Sequence, residues 1–267
     1  MKRLITMAFA VAFLAATSCS TTESATHRRP AIVRLDPPEK GFFSKELMFR
    51  SIPIKSHEVV SNEALYAAYD HLSLLLGHLP SMVISNLVGN NVELHIIGRD
   101  QVTTDLPEWQ HDKGIPLDEY QGLTRDQRTR GMGGRLTSCG EENLLKLEKD
   151  KYHGRDICLH EFSHAIRNYG IDQDLRDKFN AQYHASLEKG RWVNSYAGSN
   201  ADEYFAELTM WYFGTHGDLT MTGPKPANGT EGLKKYDPEA FQLFDDFYKG
   251  KLKVKAYRRS FRPHEDD

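Results

Sequence analysis

The chain has 267 residues, 39% of them hydrophobic and 27% charged, which suffices for one domain with a sizeable core and is marginal for two. A formal net charge of -3 with a pI near 6.5 excludes a global electrostatic footprint for nucleic acid or for an anionic membrane surface. Partners must therefore be read from local motifs.

In chain order, residues 1–19 read as a signal peptide. Met1-Lys2-Arg3 gives a positive start, residues 4–16 an apolar run too short to anchor as a spanning helix, and Ala16-Thr17-Ser18-Cys19 a small-residue cleavage site. Residues 14–19 also resemble a bacterial lipobox, which implies lipidation at Cys19, although Ala16 stands where leucine is more usual. Ser20 follows rather than aspartate, which by analogy with Gram-negative sorting favours the outer membrane. The expected location is the bacterial cell envelope as an outer-membrane lipoprotein, or, with plain secretory processing, the periplasm or exterior. Residues 20–45, polar and carrying Arg28-Arg29-Pro30 and Pro37-Pro38, read as a flexible tether.

A folded domain is expected over 46–250. After the capping pair Ser61-Asn62, apolar residues recur at three and four from Ala64 through Leu65, Ala68, Leu72, Leu75 and Leu76 to Leu79, which predicts a helix punctuated by Pro80. A shorter helix is predicted over 81–88, ending at Gly89-Asn90-Asn91, and a strand over 92–97. His95 in that strand reads as a solvent-face residue. Residues 98–134 are loop-rich, and Gly131-Met132-Gly133-Gly134 lacks the context of a phosphate cradle, so it reads as a flap or tight turn. Glu141 and Glu142 read as structural or surface groups in a short strand or turn. Residues 236–248 predict a helix under the site, and 251–267 a basic, solvated tail.

His160-Glu161-Phe162-Ser163-His164 carries the chemistry. On a helix, residues four apart share a face, so both imidazoles can reach one metal ion while Glu161 stands ready to take a proton from the attacking water. The bare pattern also arises by chance, but Ile157, Cys158, Leu159, Phe162, Ala165 and Ile166 surround it with apolar positions, as a buried active-site helix requires. A third ligand is needed. The His-x-x-Gly-x-x-His continuation would place glycine at 167 and histidine at 170, where the chain has Arg167 and Gly170. The other common solution is a glutamate on a later helix. Glu203 and Glu207 lie four apart there, one able to ligate and the other to hold a ligating imidazole by hydrogen bond, while Asp202 points elsewhere and can cap the helix. Cys139 and Cys158 form an even pair once Cys19 is set aside, and an exported protein permits a disulfide between them.

With Tyr196 seven residues before Glu203, the sequence resembles the catalytic domain of anthrax lethal factor and its relatives, including the clostridial Pro-Pro endopeptidases, over about residues 60–250. Ser163 stands where lethal factor has glycine, and the toxin-delivery regions have no counterpart. The resemblance implies a gluzincin peptidase of zincin-like α+β fold: a small mixed sheet with the active-site helix, and a mainly helical C-terminal part. It implies one zinc ion per chain held by His160, His164 and Glu203, Glu161 as general base and acid, Tyr196 as oxyanion donor, and Glu207 behind a ligand. The expected partner is a peptide or protein substrate, with the membrane reached through the lipid anchor and no nucleic acid. Two competing readings use the same residues: an envelope binding protein that keeps the metal without cutting, and a zinc amidase acting on a cell-wall amide.

Overall fold

The computed structural model of the chain describes residues 29–215 and 221–260. The segment read as a signal peptide, Cys19 and residues 261–267 of the tail lie outside them. Strands β1 (Val33–Glu39), β2 (Phe43–Phe49) and β3 (Ile52–Ser56) make an antiparallel meander, and β4 (Glu93–Ile97) runs parallel to β3. The short β5 (Gly131–Met132) pairs antiparallel with β6 (Leu136–Gly140), which is parallel to β4. The order across the mixed sheet is β1-β2-β3-β4-β6-β5.

The fold therefore begins inside the segment read as a tether. β1 is exposed along nearly its whole length and is held by its ladder to β2 and by Lys55 Nζ to Glu39, 2.9 Å. Pro37 and Pro38 are tolerated because this is an edge strand with an irregular register between Arg34 and Glu39, where missing N–H donors interrupt no ladder on the outer side. β2 shows why the segment folds: Phe43, Leu47 and Phe49 fall on one face and are buried.

β4 is buried on both faces, the usual state of an interior strand with parallel neighbours. His95 is accordingly not a solvent-face residue. It is fully buried against the Phe43 ring, with Nε2 3.0 Å from Glu93 and Nδ1 2.5 Å from Glu108. The loop-rich stretch covers it: Leu106 joins Phe43 and Ile97 in a small second core, and Glu108 lies in the 3-10 segment that follows.

Helix α1 (Asn62–Leu76) has the cap that its sequence announces, Ser61 Oγ accepting from Ala64 N, worth about 1 kcal/mol. Its periodic apolar residues are all buried. α2 (Ser81–Gly89) follows. Two single-turn helices, α3 (Arg125–Arg128) and α4 (Glu141–Leu144), flank β5 and β6. Glu141 is a buried structural group, as expected, accepting from Ser61 N, Arg99 N and Arg99 Nη2; Glu142 binds Arg130.

The C-terminal half is helical: α5 (Ile157–Ala165) running into a π-helical turn (Ile166–Gly170), α6 (Gln173–Glu188), α7 (Ala201–Phe213), α8 (Thr230–Tyr236) and α9 (Pro238–Tyr248). Phe179, Phe205, Phe244 and Phe247 join α6, α7 and α9 through edge-to-face contacts with centroids 4.8 to 5.9 Å apart. The helix predicted over 236–248 is α9, which starts two residues later because buried Asp237 caps it and Pro238 takes its first position.

The basic tail is docked through Ser260 where described. Asn86 and Asn90, one turn apart on α2 and at its end, grip its backbone: Asn86 donates to Lys255 O and accepts from Tyr257 N, and Asn90 donates to Tyr257 O and accepts from Arg259 N. Buried side-chain amides with a complete set of partners fix this segment as a neighbouring strand would. The domain thus extends beyond 46–250 at both ends. No described helix is long and apolar enough to cross a membrane.

Candidate metal centre

α5 starts at Asp156, whose carboxylate accepts from Leu159 N, and its first turn is tied to the sheet by a disulfide between Cys139 on β6 and Cys158, with Cα atoms 5.0 Å apart. By chain entropy such a link is worth about 3 kcal/mol. α7 starts at Asn200, whose side chain accepts from the backbone N–H groups of Asp202 and Glu203. Asn200 is thus the cap, and Asp202 instead pairs with Arg167. The two helices pack side by side, facing His160 and His164 toward Glu203.

The ligand atoms converge. His160 Nε2 lies 3.2 Å from His164 Nε2 and 3.1 Å from Glu203 Oε2, and His164 Nε2 lies 3.6 Å from that oxygen. Atoms bound tetrahedrally to one zinc ion at about 2.0 to 2.2 Å lie about 3.4 Å apart, so this triangle is the size that the ion needs. Two further observations fit a cation. Glu203 Oε2 is buried without a hydrogen-bond partner, and among the described residues no lysine or arginine pairs with Glu203. The donor set of two imidazoles and a carboxylate is one that suits zinc.

Behind His160, Nδ1 lies 3.3 Å from Glu207 Oε1, and Arg155 Nη2 reaches the same oxygen at 2.5 Å. Glu207 is fully buried. This carboxylate orients the imidazole with Nε2 toward the other ligands, and Arg155 pairs with the carboxylate from behind. Burial works against a charged His160, yet Glu203 and Glu207 lift its pKa to about 10, and the histidines hold Glu203 well below the usual carboxylate range against the same burial. A proton and a divalent cation compete for the same nitrogen.

Glu161 lines the cleft on the β5 side. Burial raises its pKa against the pull of His160 and His164. Tyr196 opens a 3-10 turn (Tyr196–Gly198) and stacks near His160, centroids 6.4 Å apart. Burial and the Glu203 carboxylate push the phenol's pKa well up, so it stays protonated. Its loop is anchored from below by Asp237, which accepts from Trp192 Nε1 and from Arg191. Trp192, Phe205 and Trp211 are core residues.

The glycine cluster is part strand and part turn, with Gly133 and Gly134 in the connection from β5 to antiparallel β6. It contains edge strand β5, pressed onto α5: a Cβ on Gly131 would lie 2.7 Å from Ile157 Cγ2, and one on Gly133 2.9 Å from His164 Cβ. Only glycine lets the strand approach so closely. The resulting cleft, about 680 Å³, is also lined by Tyr120, Arg128, Met132 and Tyr152. The sequence reading missed these wall residues and Arg155; an arginine five residues before a motif carries no signal until the fold places it beneath Glu207.

No protein-family profile and no curated protein sequence matches the chain. Among solved structures it is similar to a Pro-Pro endopeptidase from Paenibacillus alvei, with a TM-score of 0.50 and 18% identity over 74% of this chain and 97% of that one. The likeness is one of fold, and the α+β architecture with its mixed sheet and helical C-terminal part is of that zincin-like kind.

Proposed function

We propose that the protein is a zinc-dependent metalloendopeptidase in which His160, His164 and Glu203 hold the ion. The observation that carries this reading is the convergence of those three side chains beside Glu161 in a cleft edged by β5. The similarity in fold to an endopeptidase supports it. When bound, zinc supplies Lewis acidity toward a water and the scissile carbonyl. An extended peptide adds to the open edge of β5 and lies across the cleft. Glu161 takes the proton of the attacking water and hands it to the departing amine; a carboxyl with a raised pKa suits both halves of that transfer. The protonated Tyr196 hydroxyl donates to the oxygen that gains negative charge, and Glu207 keeps His160 turned toward the ion.

Export and lipid attachment at Cys19 belong to the same proposal, supported by the N-terminal sequence and by a disulfide of the kind that persists in oxidising compartments. Mass spectrometry of the mature protein should find an acylated Cys19 at the N-terminus; a free, unmodified N-terminus removes that part alone.

The main test is metal analysis with peptide turnover. The purified protein should hold about one zinc per chain and cut members of a broad peptide library, and Glu161→Ala should keep the metal and lose cleavage. Absence of metal defeats the site; metal without cleavage of any peptide transfers support to the binding-protein or amidase reading.

A further inference from the structure

Beside the cleft lies a second, strongly polar hollow of about 430 Å³, walled by Arg167, Asn168, Arg176, Asn180, Tyr257 and Arg259 among others. Four elements build it: the π-turn after α5, α6, the docked tail and, through Asp202, the start of α7. Asn168 belongs to the wall of both hollows, and Asp202, which lines the cleft, holds Arg167 on the other side. The two spaces therefore adjoin.

The charges in this hollow are unbalanced. Arg167 and Arg176 are both more than nine-tenths buried. Arg167 has Asp202 as its anion and Asn180 Oδ1 as a neutral acceptor, and its Nε is buried with no acceptor at all. Asp177, which also acts on Arg167, is engaged by Gln173. Arg176 donates only to neutral groups, Asn168 O at 3.0 Å and Gln173 Oε1 at 2.8 Å. Among the described residues neither Arg176 nor Arg259 forms an ion pair. Both guanidinium groups are steadied by rings instead, Arg176 over Tyr257 at 4.3 Å and Arg259 over Tyr169 at 5.3 Å. A guanidinium held against a ring keeps its plane fixed, the preorganised state for receiving a carboxylate; Arg176 already donates from both Nη atoms, whereas Arg259 makes no side-chain hydrogen bond among the described residues. Arg167, Arg176 and Arg259 outnumber the half-exposed Asp202 and the Asp177 that also acts on Arg167, a deficit of negative charge that a ligand can fill.

We infer that this hollow is a specificity subsite of the proposed peptidase, taking a carboxylate of the peptide substrate. The carboxylate is that of a glutamate or aspartate side chain or of the peptide's own C-terminus. The inference rests on the peptidase reading for its substrate class, and on the hollow alone for the charge that it selects.

The test uses the full chain and three matched libraries of octapeptides, each randomised except at one scanned position: Glu with an amidated C-terminus, Gln with an amidated C-terminus, and Gln with a free C-terminus. The wild type should cleave the best carboxylate-bearing set at least about tenfold faster in kcat/KM than the Gln amide set, the factor expected of one charge-assisted contact, and the preference should shrink as salt rises. Which set wins distinguishes side-chain from terminal carboxylate. Arg259→Gln should reduce the preference, read as the ratio of the two rates within the variant, to less than about threefold, with the tail still docked because it is held through the backbone of residue 259. Arg259→Lys, with charge but no planar fork, should recover part of it. Fluorescence anisotropy of the same peptides on zinc-loaded Glu161→Ala, with and without Arg259→Gln, reads binding separately from turnover. If the wild type cuts nothing but this binding still depends on Arg259, the subsite stands and the peptidase reading falls. No carboxylate preference in binding or cleavage, or a preference that survives both Arg259→Gln and Arg176→Gln, overturns the subsite.

Discussion

Two buried histidines in this protein sit between pairs of carboxylates, and the pairs differ in where their cation comes from. His95 lies between Glu93 and Glu108, and the protein supplies the balancing charge itself: Lys55 Nζ is 2.8 Å from Glu93. The Phe43 ring closes the remaining side. His160 lies between Glu203 and Glu207, and only Glu207 has an arginine, Arg155. Opposite Glu203 stands a second imidazole on the wall of a cleft. The residue types are nearly the same; what separates structural support from a candidate centre is a missing internal cation on the open side.

The largest contrast comes from removing each imidazole. His160→Ala should abolish zinc retention and lower peptide turnover by at least about 10³-fold, with little loss of global stability beyond that of the metal itself. His95→Ala should keep full zinc stoichiometry in the folded protein and cost about 3 to 5 kcal/mol of unfolding free energy, because Glu93 and Glu108 are left buried against each other. Metal analysis and urea denaturation on both variants check the pair, and zinc loss in the folded His95→Ala protein would erase the distinction. Next in size, Tyr196→Phe should leave metal content intact and lower kcat by about 10² to 10³; a change confined to KM would remove the oxyanion role. Glu207→Gln, which weakens the hold on His160 Nδ1, should loosen zinc by about 10- to 100-fold in a chelator competition.

The smallest effect sharpens the His95 side. Burial alone would raise the Glu93 pKa, but His95 and Lys55 hold it at about 2, below its ordinary value near 4.5. A depressed folded-state pKa contributes stability that is present above the unfolded value and lost as pH falls through the folded one. Stability of the metal-free protein should therefore drop between pH 4.5 and about 2, and the slope should be shallower in Glu93→Gln; an unchanged slope places the acid sensitivity elsewhere.

The sequence was most legible where one element carries its own signal. α1 announces its period and its cap, α5 its pair of histidines in an apolar frame, and Glu203 and Glu207 their shared face. It was least legible where a residue's state depends on something distant. Pro37 and Pro38 hide β1 because an edge strand tolerates what an interior strand cannot. His95 looks outward in the alternation of its strand until residues 103–112 fold over it. Asn90 reads as a turn residue, yet its amide fixes a tail nearly 170 residues later, at Tyr257 and Arg259. The arginine hollow was invisible for the same reason, since its members lie on separate elements.

The disulfide between β6 and α5 also has a mechanical meaning. A covalent staple between the sheet and the first turn of the helix that carries His160 and Glu161 makes one wall of the cleft a single rigid jaw. A displacement that would admit an extended chain is then left to the opposite jaw, where Tyr196 rides on a loop held by the buried Trp192, by hydrogen bonds and by the Arg191–Asp237 ion pair, with no covalent cross-link among the described residues.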